Sequence, residues 1–374
     1  MHRDSSIVII DKYQTGDEKM RERMRKIFVV FLSLIIITNG ILGKEVIIEK
    51  KFKIGSEEKK EELFFLITDI KADRDGNIFV LDFKGHTIKK FSKDGKFIKE
   101  AGGKGQGPGE LDSPSHFAID EKGNIWVAEI RNRRISIFDN SLNFIKSIKL
   151  MPWKYPRSMD FDINGNIVIY YFPPQLMSKY HIHVYDRTGK YIKSFFEEVL
   201  PDRPKPRKDS LHTPYMGSID VKNNLIAFAH FEPSNPYIIY ILNTNGQVIR
   251  KFGRKIPGYK FPKKLVELSV KKIKSVAEIQ RIMDSIEKLI VIAGVHFTKE
   301  NHVVVQLSET YREKGIKKTR NYLDIFSLDG TLIKKDIKFG PETIMDIDEN
   351  NNIYTFCIDE VTPSFAVYSL KIKD

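Results

Sequence analysis

Asp73-Arg74-Asp75-Gly76-Asn77-Ile78-Phe79-Val80 sets a polar Asx-Gly turn against apolar residues that alternate on both sides. Such a pattern reads as a tight β-hairpin, with Gly or Asn supplying the positive φ that the turn needs. The same stretch recurs, more or less worn, at residues 120–127 (turn Gly123-Asn124), 162–169 (Gly165-Asn166), 220–227 (Asn223-Asn224), 298–305 (Asn301-His302) and 348–355 (Asn351-Asn352). The hairpin is therefore the repeated unit of the chain.

Each hairpin is followed by a second alternating pair. In the first unit residues 87–91 alternate, Lys93-Asp94-Gly95 turns, and residues 96–101 alternate back, which makes four antiparallel strands. The turns Asn140-Ser141, Thr188-Gly189, Asn245-Gly246 and Asp329-Gly330 repeat this in units two to five. The sixth unit ends after residues 365–370, one strand short. Residues 45–55 (Glu45-Val46-Ile47-Ile48-Glu49-Lys50-Lys51-Phe52-Lys53-Ile54-Gly55) read like the closing strands 96–102 and 247–253. Placed beside 365–370, they complete the last sheet and remove the open edge of a linear array. The residues opening the turns, 76, 123, 165, 223, 301 and 351, lie 47, 42, 58, 78 and 50 apart. Periods of about 40–50 residues with four strands each predict an all-β, six-bladed β-propeller over residues 44–374.

Composition is consistent with one large folded unit. Of 374 residues 41% are apolar and 11% aromatic, enough for a sizeable core. Lys and Arg outnumber Asp and Glu 62 to 49, a formal charge of +13, which permits attraction to anionic partners without requiring it. The single cysteine, Cys357, excludes an internal disulfide and any multi-cysteine metal site. It sits in an apolar strand and reads as a small buried hydrophobe.

The first 43 residues read as a leader. Residues 27–37 form a short apolar run after Arg21, Arg23, Arg25 and Lys26 and before Thr38-Asn39-Gly40 and Gly43. A basic segment, an apolar run of this length and small residues behind it predict a secretory signal peptide. Translation then starts at Met20 or Met24, and the protein is exported, periplasmic or extracellular, with an uncleaved anchor as the alternative. A second departure from the repeat is the long stretch before the fifth unit. There Leu265, Leu268, Ile273, Val276, Ile279, Ile282, Met283, Ile286 and Leu289 recur at three- and four-residue steps, predicting a helical insertion over about 261–292 between blades 4 and 5.

The Asp-x-x-Gly-Asn-Ile-x-Val turns, with the joint Gly102-Gly103-Lys104-Gly105-Gln106-Gly107-Pro108-Gly109-Glu110-Leu111, resemble the six-bladed propellers of the NHL-repeat group, including exported bacterial members. The resemblance covers residues 45–374 and is strongest in the first two blades. It implies a fold; the group itself spans RNA binders, protein binders and lyases, so it implies no single activity. The glycines of the joint do not form a phosphate loop, because no Gly-Lys-Ser/Thr opens a helix there.

Two sets of residues are candidates for a site. The connections between second and third strands and those entering each blade share one rim. They carry His86, His116, Arg131, Arg133, Arg134, Arg157, Tyr171, Tyr215, His230, Tyr311 and Arg312, aromatic and arginine groups suited to planar or anionic ligands. The second set faces the axis. Aligning the innermost strands on the leading Asp of each turn places Lys71, Ala118, Asp160, Ser218, His296 and Asp346 in one row, with the polar cluster Lys71, Asp160, His296 and Asp346. The calcium-dependent relatives line this axis with several carboxylates and asparagines, which only Asp160 and Asp346 match. Lys71 puts a positive charge where a dication would sit, so a structural ion pair is the reading preferred there.

No nucleophile elbow, His-Glu-x-x-His or paired-cysteine spacing occurs, and no cofactor motif is present. The sequence thus predicts a monomeric exported binding or scaffolding module whose loop rim meets a protein, a glycan or a small anionic ligand. A hydrolase or lyase with an axial metal, and a nucleic-acid binder of the NHL type, are the alternatives. The export signal argues against the last, and membrane contact is expected only through an uncleaved signal segment.

Overall fold

The computed structural model describes residues 44–151, 156–171, 181–195, 218–231, 237–257, 281, 285–286, 288–313, 316–357 and 362–373. After β1 (Glu45–Ile54), blade 1 comprises β2 (Ile67–Ala72), β3 (Ile78–Asp82), β4 (Thr87–Phe91) and β5 (Phe97–Gly102). Blade 2 comprises β6 (Pro114–Ile119), β7 (Ile125–Glu129), β8 (Arg134–Phe138) and β9 (Phe144–Ile148). Blade 3 has β10 (Pro156–Phe161), β11 (Ile167–Tyr171), β12 (His181–Tyr185) and β13 (Tyr191–Phe195). Blade 4 has β14 (Ser218–Lys222), β15 (Leu225–Phe231), β16 (Tyr237–Asn243) and β17 (Val248–Arg254). Blade 5 has β18 (Lys288–Phe297), β19 (Val303–Glu313), β20 (Ile316–Phe326) and β21 (Leu332–Phe339); blade 6 has β22 (Thr343–Ile347), β23 (Asn352–Cys357) and β24 (Ser364–Lys373). Each blade is a four-stranded sheet in chain order, and the fourth place in blade 6 is taken by β1, in the order β1-β24-β23-β22.

The propeller forms one compact unit, Val46–Ile372. A second, small unit joins residues 1–45 with 373–374, of which Lys44, Glu45 and Lys373 are described.

The turn motif explains itself locally. The Asp73 carboxylate accepts the backbone N–H groups of Asp75 and Asn77 through Oδ1 and the Asn77 amide through Oδ2, at 2.8–3.0 Å. The same bonds recur at Asp120/Asn124, Asp162/Asn166 and Asp348/Asn352. They stitch a reversal out of five consecutive residues, with Gly76, Gly123 and Gly165 at φ of 75–83°. Where glycine is missing, Asn223, Asn301 and Asn351 take φ of 55–61° instead. In blade 5, which has lost the leading Asp, Thr298 Oγ1 accepts the His302 N–H at 3.1 Å.

Apolar residues from facing blades form a core at each of the six seams. At the seam between blades 6 and 1, Phe91 packs with its ring centroid 5.4 Å from Phe365 and 6.1 Å from Phe64, and Ile54 of β1 joins the same cluster. Full burial of one such ring is worth about 1.5–3 kcal/mol.

Two expectations change. The predicted insertion lies mostly outside the described residues, but residues 288–292 are not helical. They open β18, because Leu289, Ile290, Val291 and Ile292 pair with Thr310, Glu309, Ser308 and Leu307 of the long β19. Among the described residues the only helical segment of three or more residues is the 3-10 turn Lys60–Glu62.

The second change concerns the axial row. Lys71, Ala118, Asp160, His296 and Asp346 pair with Phe79, Trp126, Val168, Val304 and Tyr354 of their second strands. In blade 4 the equivalent residue is Asp220, opposite Ala227, and not Ser218. The reason is turn length. Lys222 pairs directly with Leu225 across the two-residue turn Asn223-Asn224, whereas Ala72 and Ile78 enclose the five residues Asp73 to Asn77, so the blade 4 reversal is three residues shorter. The register moves by two residues, which keeps the same strand face toward the axis because faces alternate with a period of two, and puts Asp220 where Ser218 is expected.

Candidate functional site

The six innermost strands β2, β6, β10, β14, β18 and β22 converge on an axial cavity of about 370 Å³. It lies at their hairpin ends, between the repeated turns, and so opposite the rim singled out by loop composition. Its walls include Lys71, Asp160, Asp220 and Asp346, with Asp73, Asp120, Asp162 and Asp348 of the turns around the mouth.

Lys71 Nζ sits 3.3 Å from Asp160 Oδ2. Burial pulls this ammonium toward losing its proton, but the carboxylates of Asp160, Asp346, Asp69 and Asp220 outweigh burial and hold it well above the usual lysine range. Asp220 Oδ2 accepts the Phe297 N–H of blade 5 at 2.7 Å, tying two blades together. Burial, then the charge of Asp160, pushes Asp220 up to about 6 against the pull of that bond and of Lys71. Asp346 is pushed up to about 7 by burial, with Asp220 and Asp160 adding to the shift and Lys71 opposing it. His296 is driven down to about 3 by burial and by Lys71, so its imidazole is neutral. Three carboxylates and one ammonium thus share a small polar chamber, and no set of three or more His, Cys, Asp or Glu among the described residues is arranged to hold a metal ion.

Most of the described rim candidates are bound into the scaffold. His86 Nδ1 accepts the Ser113 N–H at 3.2 Å, and Arg134 bonds Glu129 at 2.7 Å and the carbonyls of Gln106, Gly107 and Glu110. Arg134 therefore clamps the glycine-rich joint between blades 1 and 2. His116 Nδ1 lies 3.4 Å from Asp69, whose other bonds include the Phe117 N–H. Tyr171 is fully buried in β11 and donates its hydroxyl proton to Tyr185 at 3.2 Å. Arg320 lies over the Tyr311 ring, 4.5 Å from its centroid. Arg131, Arg133, Arg157 and Arg312 are exposed. His230 belongs to β15, its side chain outside the described set, and Tyr215 lies outside the described residues altogether.

Comparison with known proteins agrees with this architecture. Residues 57–271 match the family model DUF5128, described as a 6-bladed beta-propeller. Over 74 residues the chain is 30% identical to human NHL repeat-containing protein 3, which is 19% of this chain and 21% of that protein. The mouse protein of the same name is 28% identical over 74 residues. The chain thus spans about a fifth of the length of these curated relatives. Among solved structures, a Bacteroides vulgatus protein of the DUF4221 family superposes with a TM-score of 0.60 at 13% identity, covering 88% of this chain and 99% of that one. A Bacteroides fragilis protein carrying a provisional description as exported gives 0.59 at 14%, covering 88% and 96%. These likenesses show the fold, and with more than half of its length matched the chain belongs to the DUF5128 family of six-bladed β-propellers.

Proposed function

We propose that the chain is an exported binding module whose ligand seat is the axial cavity at the hairpin rim, in a ring held shut by β1. The observation that carries this reading is the cavity itself: charged side chains from four blades meet in one chamber, on strands ending in tight hairpin turns, three of them self-bonded through Asp73, Asp162 and Asp348. Concave, partly polar chambers on rigid elements are where small ligands bind. Binding is preferred to metal-dependent hydrolysis because the Lys71 ammonium stands among the carboxylates that would ligate a dication. The expected anionic ligand rested on loop-rim arginines, and the axial chamber has the opposite sign.

Soaking crystals in a library of small polar fragments tests the seat. Density is expected against Lys71, Asp160, Asp220 and Asp346; density confined to the rim bearing Arg131, Arg157 and Arg312 would overturn it. Export is supported by the basic-apolar pattern of residues 21–43. N-terminal sequencing of protein made in its own host is expected to begin between residues 38 and 45, and an intact leader on cytoplasmic protein refutes export.

A further inference from the structure

We infer that the axial cavity takes a small organic ammonium ion, a protonated alkylamine seated against Asp346 and shared with Asp160 and Asp220. This rests on the axial seat proposed above and names the class of its ligand. The first ground is sign. Nine of the residues lining the cavity are Asp or Glu and three are Lys or Arg, within a chain whose net charge is +13. Local potential, not net charge, selects what enters a cleft.

The second ground is which acceptors are already used. The turn carboxylates Asp73, Asp162 and Asp348 bond their own hairpins, and Asp120 also meets Arg187. Asp220 holds Phe297, and Asp160 holds the Phe161 N–H and Lys71. Asp346 lines the same chamber and accepts no hydrogen bond from any described residue. His296, in the same axial row and 6% exposed, does not line the cavity, and its imidazole meets the Ile344 backbone. With all three axial carboxylates ionised, Lys71 balances one charge of three.

The third ground is that the chamber already recognises this chemistry. Lys71 is an alkylammonium, and the carboxylates that hold it charged are those a ligand of the same type would meet. A monovalent head on an apolar stem also suits the mixed wall, where Ala72, Ile119, Phe161, Val221, Phe297 and Ile347 stand beside the acids.

Uptake is coupled to protons. The groups facing Asp346 across the axis are Lys71, Asp160 and Asp220, with Asp348 beside it on its own blade. Asp220 and Asp346 carry protons below about 6 and 7, while Lys71 stays charged and His296 stays neutral. A cation binds the ionised pair better, so it releases a proton and its affinity rises with pH.

The test titrates the full mature chain with n-butylammonium, n-butanol, butyrate, calcium ion and a short lysine-containing peptide, followed by ligand-observed NMR. Affinity for n-butylammonium is expected to rise about fivefold or more from pH 5.5 to 7.5. Asp346→Asn is expected to weaken it about tenfold at pH 7.5, the scale of one charge-assisted hydrogen bond. This variant removes a buried charge and retains the side-chain volume, so its thermal midpoint at pH 7.5 checks that it folds. Binding of the peptide alone would support the same chemistry with a polypeptide as the source. Butanol or butyrate bound at the cavity in place of the amine would overturn the inference and leave the axial seat standing. Calcium bound more tightly than the amine would overturn it too. No ligand at the cavity by NMR or by crystal soaking sinks both.

Discussion

Replacing Asp324 by alanine is expected to destabilise the protein by about 3–5 kcal/mol, the usual consequence of removing one partner from a buried ion pair. Asp324 is fully buried on β20 of blade 5. Its carboxylate accepts the Tyr237 hydroxyl at 2.5 Å, Arg254 Nε at 2.6 Å, Arg254 Nη2 at 2.9 Å and the Asp336 backbone N–H at 2.8 Å. Tyr237 and Arg254 come from β16 and β17, so this one carboxylate pins blade 4 to blade 5 from the seam outward. The guanidinium is held well above its ordinary range mainly by these bonds to Asp324, against the opposing effect of burial. Urea unfolding of Asp324→Ala against wild type measures the loss. Arg254→Met, which removes the charge and retains the stem, is expected to cost a similar amount, because it strands the fully buried Asp324 carboxylate with only the Tyr237 hydroxyl and the Asp336 N–H to hold it. If Asp324→Ala costs less than about 1 kcal/mol, the network is ornamental and the seam is held by its apolar core alone.

That network also marks where sequence reading stops. The turn at Asp73 is legible because donor and acceptor lie within five residues; Asp73 and Asn77 carry the geometry between them. Six such turns at a regular period fix the blade count, and alternation then assigns Lys71, Asp160, His296 and Asp346 to the axis. Asp324, Arg254 and Tyr237 are 70 and 87 residues apart, and nothing local in any of them announces the others. Asp220 was hidden for a subtler reason. It stands where the leading Asp of the turn is expected, and the shortened reversal at Asn223-Asn224 moves it two places along, to the axis. Two consecutive asparagines do not announce it, because Asn351-Asn352 in blade 6 keeps the five-residue turn.

At the rim, residue type does not separate a ligand-binding group from a scaffold group. Arg134 and His86 look like recognition residues, and both instead bond the joint between blades. Tyr171 sits at the end of β11 but points into the core beside Tyr185. The cavity, conversely, is bounded by the repeated Asx turns. Loop composition pointed to one rim, while the polar chamber lies at the other.

Removing residues 44–54 is expected to cost more than about 5 kcal/mol, enough to unfold a domain of ordinary stability. β1 occupies the outer place of blade 6, with Ile54 in the apolar cluster that joins blade 6 to blade 1, and Val46 and Ile48 against the cluster joining blades 5 and 6. Losing it strips apolar cover from two seams at once and bares the hydrogen-bonding edge of β24, a template for pairing with another chain. The truncated protein is therefore expected to elute as aggregate or to unfold at markedly lower urea, by size-exclusion chromatography and fluorescence. A point substitution separates the strand's position from its mere presence. Gly55 has φ of 150°, and a Cβ there would stand 2.6 Å from Ser364 Cβ and 2.8 Å from its Cα, at the start of β24. Gly55→Val must push the end of β1 off β24 while leaving residues 44–54 intact, so it is expected to lower stability by about 2–4 kcal/mol through clash and backbone strain. A half-buried counterpart, Gly103→Val, sets a Cβ with no atom within 4 Å although its φ is 109°. It reports the strain alone, and the difference between the two is the part owed to contact with β24. Equal losses at Gly55 and Gly103, or a truncated chain as stable as the whole, would show that the ring stands without its first strand.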